Sequence, residues 1–198
     1  MTQDPDAALM LAFQRGDQAA FRVLYERYAR AMVGYCHRFV KDAGRAEELA
    51  QDVFVKLHRS AHRYSPSARF KTFLYRVATN HCLNELRRGE YAAREAGPAG
   101  EPGGAPDLDA LPSRQASPHQ ELEAERLAGA VLRLLDGLPE KQRAALVLCR
   151  FEGMSYDEIA ETLETSVSAV KSLVHRATVA AAEALAPFGP APALEVEP

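Results

Sequence analysis

Gly153–Ala177 reads GMSYDEIAETLETSVSAVKSLVHRA, and the reading of this stretch decides the fold. Gly153 is a natural helix stop, because glycine takes the left-handed cap conformation at little cost. Ser155 with Glu158 three residues on is a capping box, in which each side chain satisfies an orphaned backbone N–H at the other's position. Ile159, Ala160 and Leu163 give the short helix that follows an apolar face, with Ala160 small where two helices must cross closely. Glu164 and Thr165 make a turn, and Thr165 or Ser166 caps a second helix. Val167, Val170, Val174 and Ala177 recur at three- and four-residue spacing and belong inside. Ser168, Lys171, Ser172, His175 and Arg176 face the other way. Lys and Arg suit phosphates and guanine edges, and Ser can bond backbone or base. The pattern fits a helix-turn-helix that enters DNA; the competing reading is an amphipathic hairpin with a solvated face.

Outward from this stretch, the chain of 198 residues is 47% hydrophobic and carries a net charge of −3. That is enough apolar matter for real cores, and too little positive charge for a general nucleic-acid coat, so any DNA contact must come from local basic patches. Cys36, Cys82 and Cys149 lie far apart within apolar helical patterns, as reduced buried thiols of a cytoplasmic protein do. His37 and His81 each adjoin a cysteine, but neighbours in sequence do not share a helix face and no CxxC or HxxxH spacing occurs, so no metal site is expected. No apolar run approaches the roughly 20 residues of a membrane span, and no signal peptide is read. No Ser-His-Asp, HExxH, phosphate-loop or paired-carboxylate context is present, so neither catalytic residues nor a cofactor are expected.

Residues 1–88 read as a continuous helical block. A short helix over Asp4–Phe13 ends at Gly16-Asp17, and Asp17 caps the next, whose stripe is Phe21, Leu24, Tyr25, Tyr28, Met32, Tyr35, Cys36 and Phe39. Lys41–Gly44 reads as a turn. A helix from about Arg45 to Arg59 buries Leu49, Val53, Phe54 and Leu57 and shows Glu47, Glu48, Gln51, Asp52 and Lys56. Ala61–Lys71 breaks the pattern with Pro66 and flanking serines, a loop that is basic and aromatic. The helix after it places Phe73, Leu74, Val77 and Leu83 on a core side and Arg76, Asn80, Asn84, Arg87 and Arg88 on a polar one. Aromatics interleaved with Arg, Lys and Asn are what single-stranded nucleic acid requires, because rings stack on bases and cations meet phosphates. In 89–118, ten of thirty positions are Gly or Pro, the composition of a linker. Residues 119–186 are helical again: Leu127, Val131, Leu134, Leu135 and Leu138 form a stripe, Pro139 suits a first helical turn, and KQRAALVLCRF is apolar enough to be buried. A Pro-rich tail occupies 187–198.

With both halves in view, the chain resembles the extracytoplasmic-function (ECF) sigma factors of bacterial RNA polymerase. AEELAQDVFVKLHR followed by FKTFLYRVATNHCLNELRR is similar to sigma domain 2, and LPEKQRAALVLCRFEGMSYDEIAETL followed by VKSLVHRA is similar to sigma domain 4. The resemblance implies an all-α fold of two small helical domains, 1–88 and 119–186, joined by the flexible linker. It implies three sets of contacts. Glu48, Gln51, Asp52 and Lys56 would meet the β′ clamp helices of core polymerase. Arg63, Tyr64, Arg69, Phe70, Lys71, Phe73, Arg76 and Asn80 would read and melt the minus-ten element. Ser168, Lys171, Ser172, His175 and Arg176 would read the minus-thirty-five element, while domain 4 also holds the β flap. An anti-sigma partner is implied as well. The chain departs from the family where Phe73 stands for Trp, Glu164 for Gly, Thr165-Ser166 for a Val-Pro-like pair, Ser168-Ala169 for Gly-Thr and Leu173 for Arg. The competing function is a helix-turn-helix regulator with an N-terminal sensory domain; no dimerisation heptads support it. An enzyme and an adaptor or anti-sigma protein fit less well, the latter because of the basic aromatic loop.

Overall fold

The structure, a computed structural model, describes residues 4–66, 69–96 and 118–188. They are helical throughout and divide into two compact units. The first is built on α1 (Pro5–Gln14), α2 (Gln18–Val40), α3 (Ala43–Ser60), a 3₁₀ turn (Ala61–Arg63) and α4 (Phe70–Ala96). The second is built on α5 (Pro118–Gly137), α6 (Glu140–Arg150), α7 (Tyr156–Thr162) and α8 (Val167–Leu185), closed by a 3₁₀ turn at Ala186–Phe188.

Short acidic and hydroxyl side chains start these helices by accepting from backbone N–H groups that have no helical partner. Asp4 caps α1 through the Asp6 N–H (3.0 Å), Asp17 caps α2 through Ala19 and Ala20 (3.0 and 3.3 Å), and Asp42 caps α3 through Arg45 (2.7 Å). The stretch expected as a turn at Lys41–Gly44 is therefore shorter: Lys41 alone is left-handed (φ 59°) and the helix begins at Ala43. Helix α4 likewise runs past 88 to Ala96, because the residues flanking Gly89 are strong helix formers whose propensities outweigh about 1 kcal/mol for one glycine. Most of the linker and nearly all of the tail read from the sequence lie outside the described residues.

In the first unit, Met10 and Phe13 from α1, Leu24, Met32, Tyr35, Cys36 and Phe39 from α2, Leu49, Val53 and Leu57 from α3, and Phe70, Leu74, Tyr75 and Cys82 from α4 make the core. Tyr35 and Thr79 share a buried hydrogen bond (2.6 Å) at its centre, and the sulfurs of Cys36 and Cys82 stand 3.7 Å apart. Tyr25, expected inside, is 43% exposed: the stripe slides off the core face and leaves its ring on the rim, edge-on to Phe54 at 4.8 Å. In the second unit the buried stripe of α8 is Val170, Val174, Ala177 and Ala181, and every residue of α6 from Arg143 to Leu148 is buried. Leu127 of α5, expected in the stripe, lies exposed, while Leu135 and Leu138 are inside.

Candidate nucleic-acid interface

The helix-turn-helix is assembled from local devices. Gly153 is left-handed (φ 61°), which lets the Met154 N–H reach back to the Leu148 carbonyl (3.1 Å) and turns the chain away at the end of α6. Both Met154 and Leu148 are buried. The capping box forms reciprocally: the Ser155 N–H donates to Glu158 Oε2 (2.9 Å) and the Glu158 N–H donates to Ser155 Oγ (3.3 Å). Glu164 turns the chain with φ 51°, and the Thr165 N–H bonds the Ala160 carbonyl (2.9 Å). Ser166 then caps α8 through the Ala169 N–H (3.2 Å).

These caps fix which side of α8 faces water. Ser168, Lys171, Ser172, His175 and Arg176 are all exposed and share one face. Ser172 Oγ already donates to the Ser168 carbonyl (3.1 Å), so towards a base edge it offers lone pairs and no proton. The Ser166 and Ser168 hydroxyls pair at 3.0 Å. Leu173 is half-buried at the border of the polar face.

In the first unit, Phe73, Arg76 and Asn80 lie at i, i+3 and i+7 on α4, on one ridge. The Phe73 ring is held between Tyr64 (centroids 5.1 Å) and the Arg76 guanidinium (5.6 Å to the ring centre). Phe73 and Arg76 are half-buried and Asn80 is exposed. Arg63 and Arg69 are exposed, and the Lys71 ammonium stands 5.6 Å from the Tyr75 ring centre. Two expected contact residues are not at the surface. Phe70 is fully buried against Tyr28 (5.6 Å) and Tyr64 is 5% exposed. Apolar rings at the mouth of a helical bundle gain more from burial than from water, and Phe70 packs inside. Tyr64 Oη and Thr72 Oγ1 are buried and, among the described residues, have no hydrogen-bond partner. Burial and then the Asp4 carboxylate push the Tyr64 hydroxyl up to about 12.

Glu48, Gln51, Asp52 and Lys56 are exposed along α3. Their neighbours were not legible from the sequence. Arg45 pairs with both Glu48 (2.6 Å) and Glu85, and the pairs hold its guanidinium above its ordinary value. His81, nearly buried, receives the Lys56 ammonium at Nδ1 (2.5 Å) and meets Asp52 Oδ2 through Nε2 (3.3 Å). A neutral imidazole protonated at Nε2 satisfies both bonds. Burial and then Lys56 hold His81 below its ordinary value of 6.5, with Asp52 and Glu85 pulling the other way. Beside this face, Phe21, Tyr25, Phe54 and Val55 line an apolar groove of about 370 Å³ between α2 and α3. Val55, 45% exposed, was not singled out from the sequence.

The described residues hold no cluster of three or more metal-ligating side chains, and no described helix is long and apolar enough to cross a membrane. What remains is an all-helical protein with a capped helix-turn-helix in one unit and an aromatic-basic ridge in the other. Residues 24–90 match Sigma-70 region 2 and residues 128–179 match Sigma-70, region 4. RNA polymerase sigma-H factor of Pseudomonas aeruginosa is 34% identical over 193 residues, covering 95% of this chain and 97% of that protein. The ECF RNA polymerase sigma-E factor of Escherichia coli K12 is 30% identical over 182 residues, covering 87% and 90%. Among solved structures, CnrH in complex with the cytosolic domain of CnrY superposes with a TM-score of 0.68 at 26% identity, covering 93% of this chain and 99% of that one. The chain belongs to the sigma-70 family of RNA polymerase sigma factors, in its extracytoplasmic-function group.

Proposed function

We propose that this chain is a dissociable promoter-specificity subunit in which each exposed surface has its own task. The observation that carries this reading is the polar face of α8, which the local caps and turns orient outward with Lys171 and Arg176 on it. That face enters the major groove at the minus-thirty-five element. Lys171, nearer the helix N-terminus, reads a base edge, and Arg176 holds a phosphate. Leu173, where the family commonly has Arg, packs inward or meets a thymine methyl.

The ridge of Phe73, Arg76 and Asn80, with Arg63, Arg69 and Lys71 near it, acts at the minus-ten element. Phe73 serves as the wedge that follows the unstacking of a base pair, a step that costs a few kcal/mol and is offset by stacking and pocket hydrogen bonds. Glu48, Gln51, Asp52 and Lys56 meet the β′ clamp helices, the second unit meets the β flap, and an anti-sigma protein covers one or more of these surfaces until a signal releases it. The protein works in the cytoplasm, where polymerase and DNA are. Run-off transcription with purified core polymerase on a promoter selected from a random library tests the assignment: initiation at one start site that needs both this chain and core is expected, and DNA binding of equal specificity without core would overturn it.

A further inference from the structure

Helix α1 lies outside the residues that match Sigma-70 region 2, which begin at 24. Its side chains nevertheless hold both ends of the segment that leads to the promoter-facing ridge. Gln14 Nε2 donates one proton to the Ala61 carbonyl (2.6 Å) and the other to the Tyr64 carbonyl (2.8 Å). The Ala61 carbonyl also accepts from the Tyr64 N–H (2.9 Å), so Gln14 closes the 3₁₀ turn from outside. At the other end of α1, Asp4 divides its two oxygens. Oδ1 caps its own helix through Asp6, and Oδ2 accepts from the Phe70 N–H (2.7 Å), the first residue of α4. A carboxylate at that position also suits the positive end of α4. Tyr64, fixed on one side by Gln14, is the ring that packs on Phe73.

We propose that Gln14 and Asp4 are positioning residues for minus-ten recognition: α1 is a brace that sets the Tyr64–Phe73–Arg76 ridge in its strand-accepting shape. The proposal rests on the reading of that ridge as the minus-ten surface. Neither side chain touches DNA. Each acts by removing freedom from backbone that a captured strand would otherwise have to order, and binding to a preorganised surface is tighter by that saving.

Two near-isosteric substitutions separate this role from bulk stability. Asp4→Asn leaves one acceptor oxygen where the Asp6 and Phe70 N–H groups now use two, so one of the two bonds is lost. Gln14→Glu keeps the length and puts a carboxylate against two carbonyls it cannot donate to; Gln14→Ala removes the group altogether. Each variant is assembled with core polymerase. Capture of a fluorescein-labelled single strand carrying the selected promoter's minus-ten sequence is then measured by anisotropy, with single-base replacements in that strand. Binding to the upstream duplex and thermal melting are measured on the same proteins, with Phe73→Ala as the comparison. The expected result is strand capture weakened roughly five- to thirtyfold, the worth of one or two hydrogen bonds, with weaker discrimination between bases and unchanged upstream binding. If Phe73→Ala weakens capture and the α1 variants do not, the brace is refuted while the ridge stands. If none of them, Phe73→Ala included, alters capture, the reading of the ridge fails and the brace with it. If the α1 variants lower upstream binding, capture and melting temperature alike, α1 serves stability alone and the proposal is overturned.

Discussion

The turn inside the helix-turn-helix carries a residue that its backbone does not favour, and this gives a sharp test. Glu164 sits at φ 51°, where a side chain bearing a Cβ costs about 1–2 kcal/mol. Glu164→Gly removes that cost. It also gives the unfolded chain more freedom, which takes back about 0.5–1 kcal/mol. The Thr165 N–H to Ala160 carbonyl bond is backbone and survives the change. The net gain is about 0.5–1 kcal/mol, which for a unit of this size raises the melting temperature by about 2–8 °C. Gly153 supplies the mirror image. It has φ 61°, and a Cβ there would meet nothing within 4 Å, so Gly153→Ala carries the backbone cost without a clash and should lower stability by a similar amount. Calorimetry of the full chain, following the transition of the C-terminal unit, reads both. If Glu164→Gly melts at or below the wild-type temperature while Gly153→Ala behaves as expected, the turn is not strained and the reasoning is wrong.

Three further outcomes are expected. His37 and His81 are both buried, and burial holds both below 6.5; the folded state therefore binds fewer protons than the unfolded chain, and stability present above pH 6.5 is lost as pH falls through their folded values. Urea unfolding between pH 7.5 and 5 should show this fall, and His81→Gln should reduce it. Lys171→Ala should relax the preferred upstream sequence in a promoter selection, whereas Arg176→Ala should weaken all sequences alike and lower the salt slope by about one; an identical preferred sequence after Lys171→Ala would make Lys171 a backbone contact. Reversing Gln51 and Asp52 to Lys should weaken binding to core polymerase at unchanged helix content, and unaltered affinity would remove α3 from that surface.

The devices that are local in sequence were legible there. The Ser155–Glu158 box, the Gly153 stop, the Asp17 cap and the Val170–Val174–Ala177 stripe all follow from neighbours within four residues, and each stands in the structure. Tyr64 and Phe70, expected as minus-ten contacts, lie buried; aromatics beside Arg and Lys suit a stacking surface and a core mouth equally well, and the packing of Tyr28 against Phe70 was not legible. Pairings across long separations left no sequence trace. Nothing in the composition places Gln14 on Tyr64, Arg45 on Glu85 or His81 between Asp52 and Lys56. In α2 and α5 periodicity put Tyr25 and Leu127 inside, although neither faces a neighbour deep enough to cover it.

The burial of the middle of α6, from Arg143 to Leu148, has a consequence for how the DNA-reading half comes into being. A helix whose residues from Arg143 to Leu148 are all enclosed has no side that water can tolerate. Even Arg143 turns its guanidinium back to the Asp136 carbonyl (2.9 Å) at the end of α5. An eleven-residue segment of this kind is too short to hold its shape alone. It is held as a helix by packing against α8, so the two acquire their orientation together. A fragment trimmed to α7 and α8 would therefore be a peptide without a scaffold.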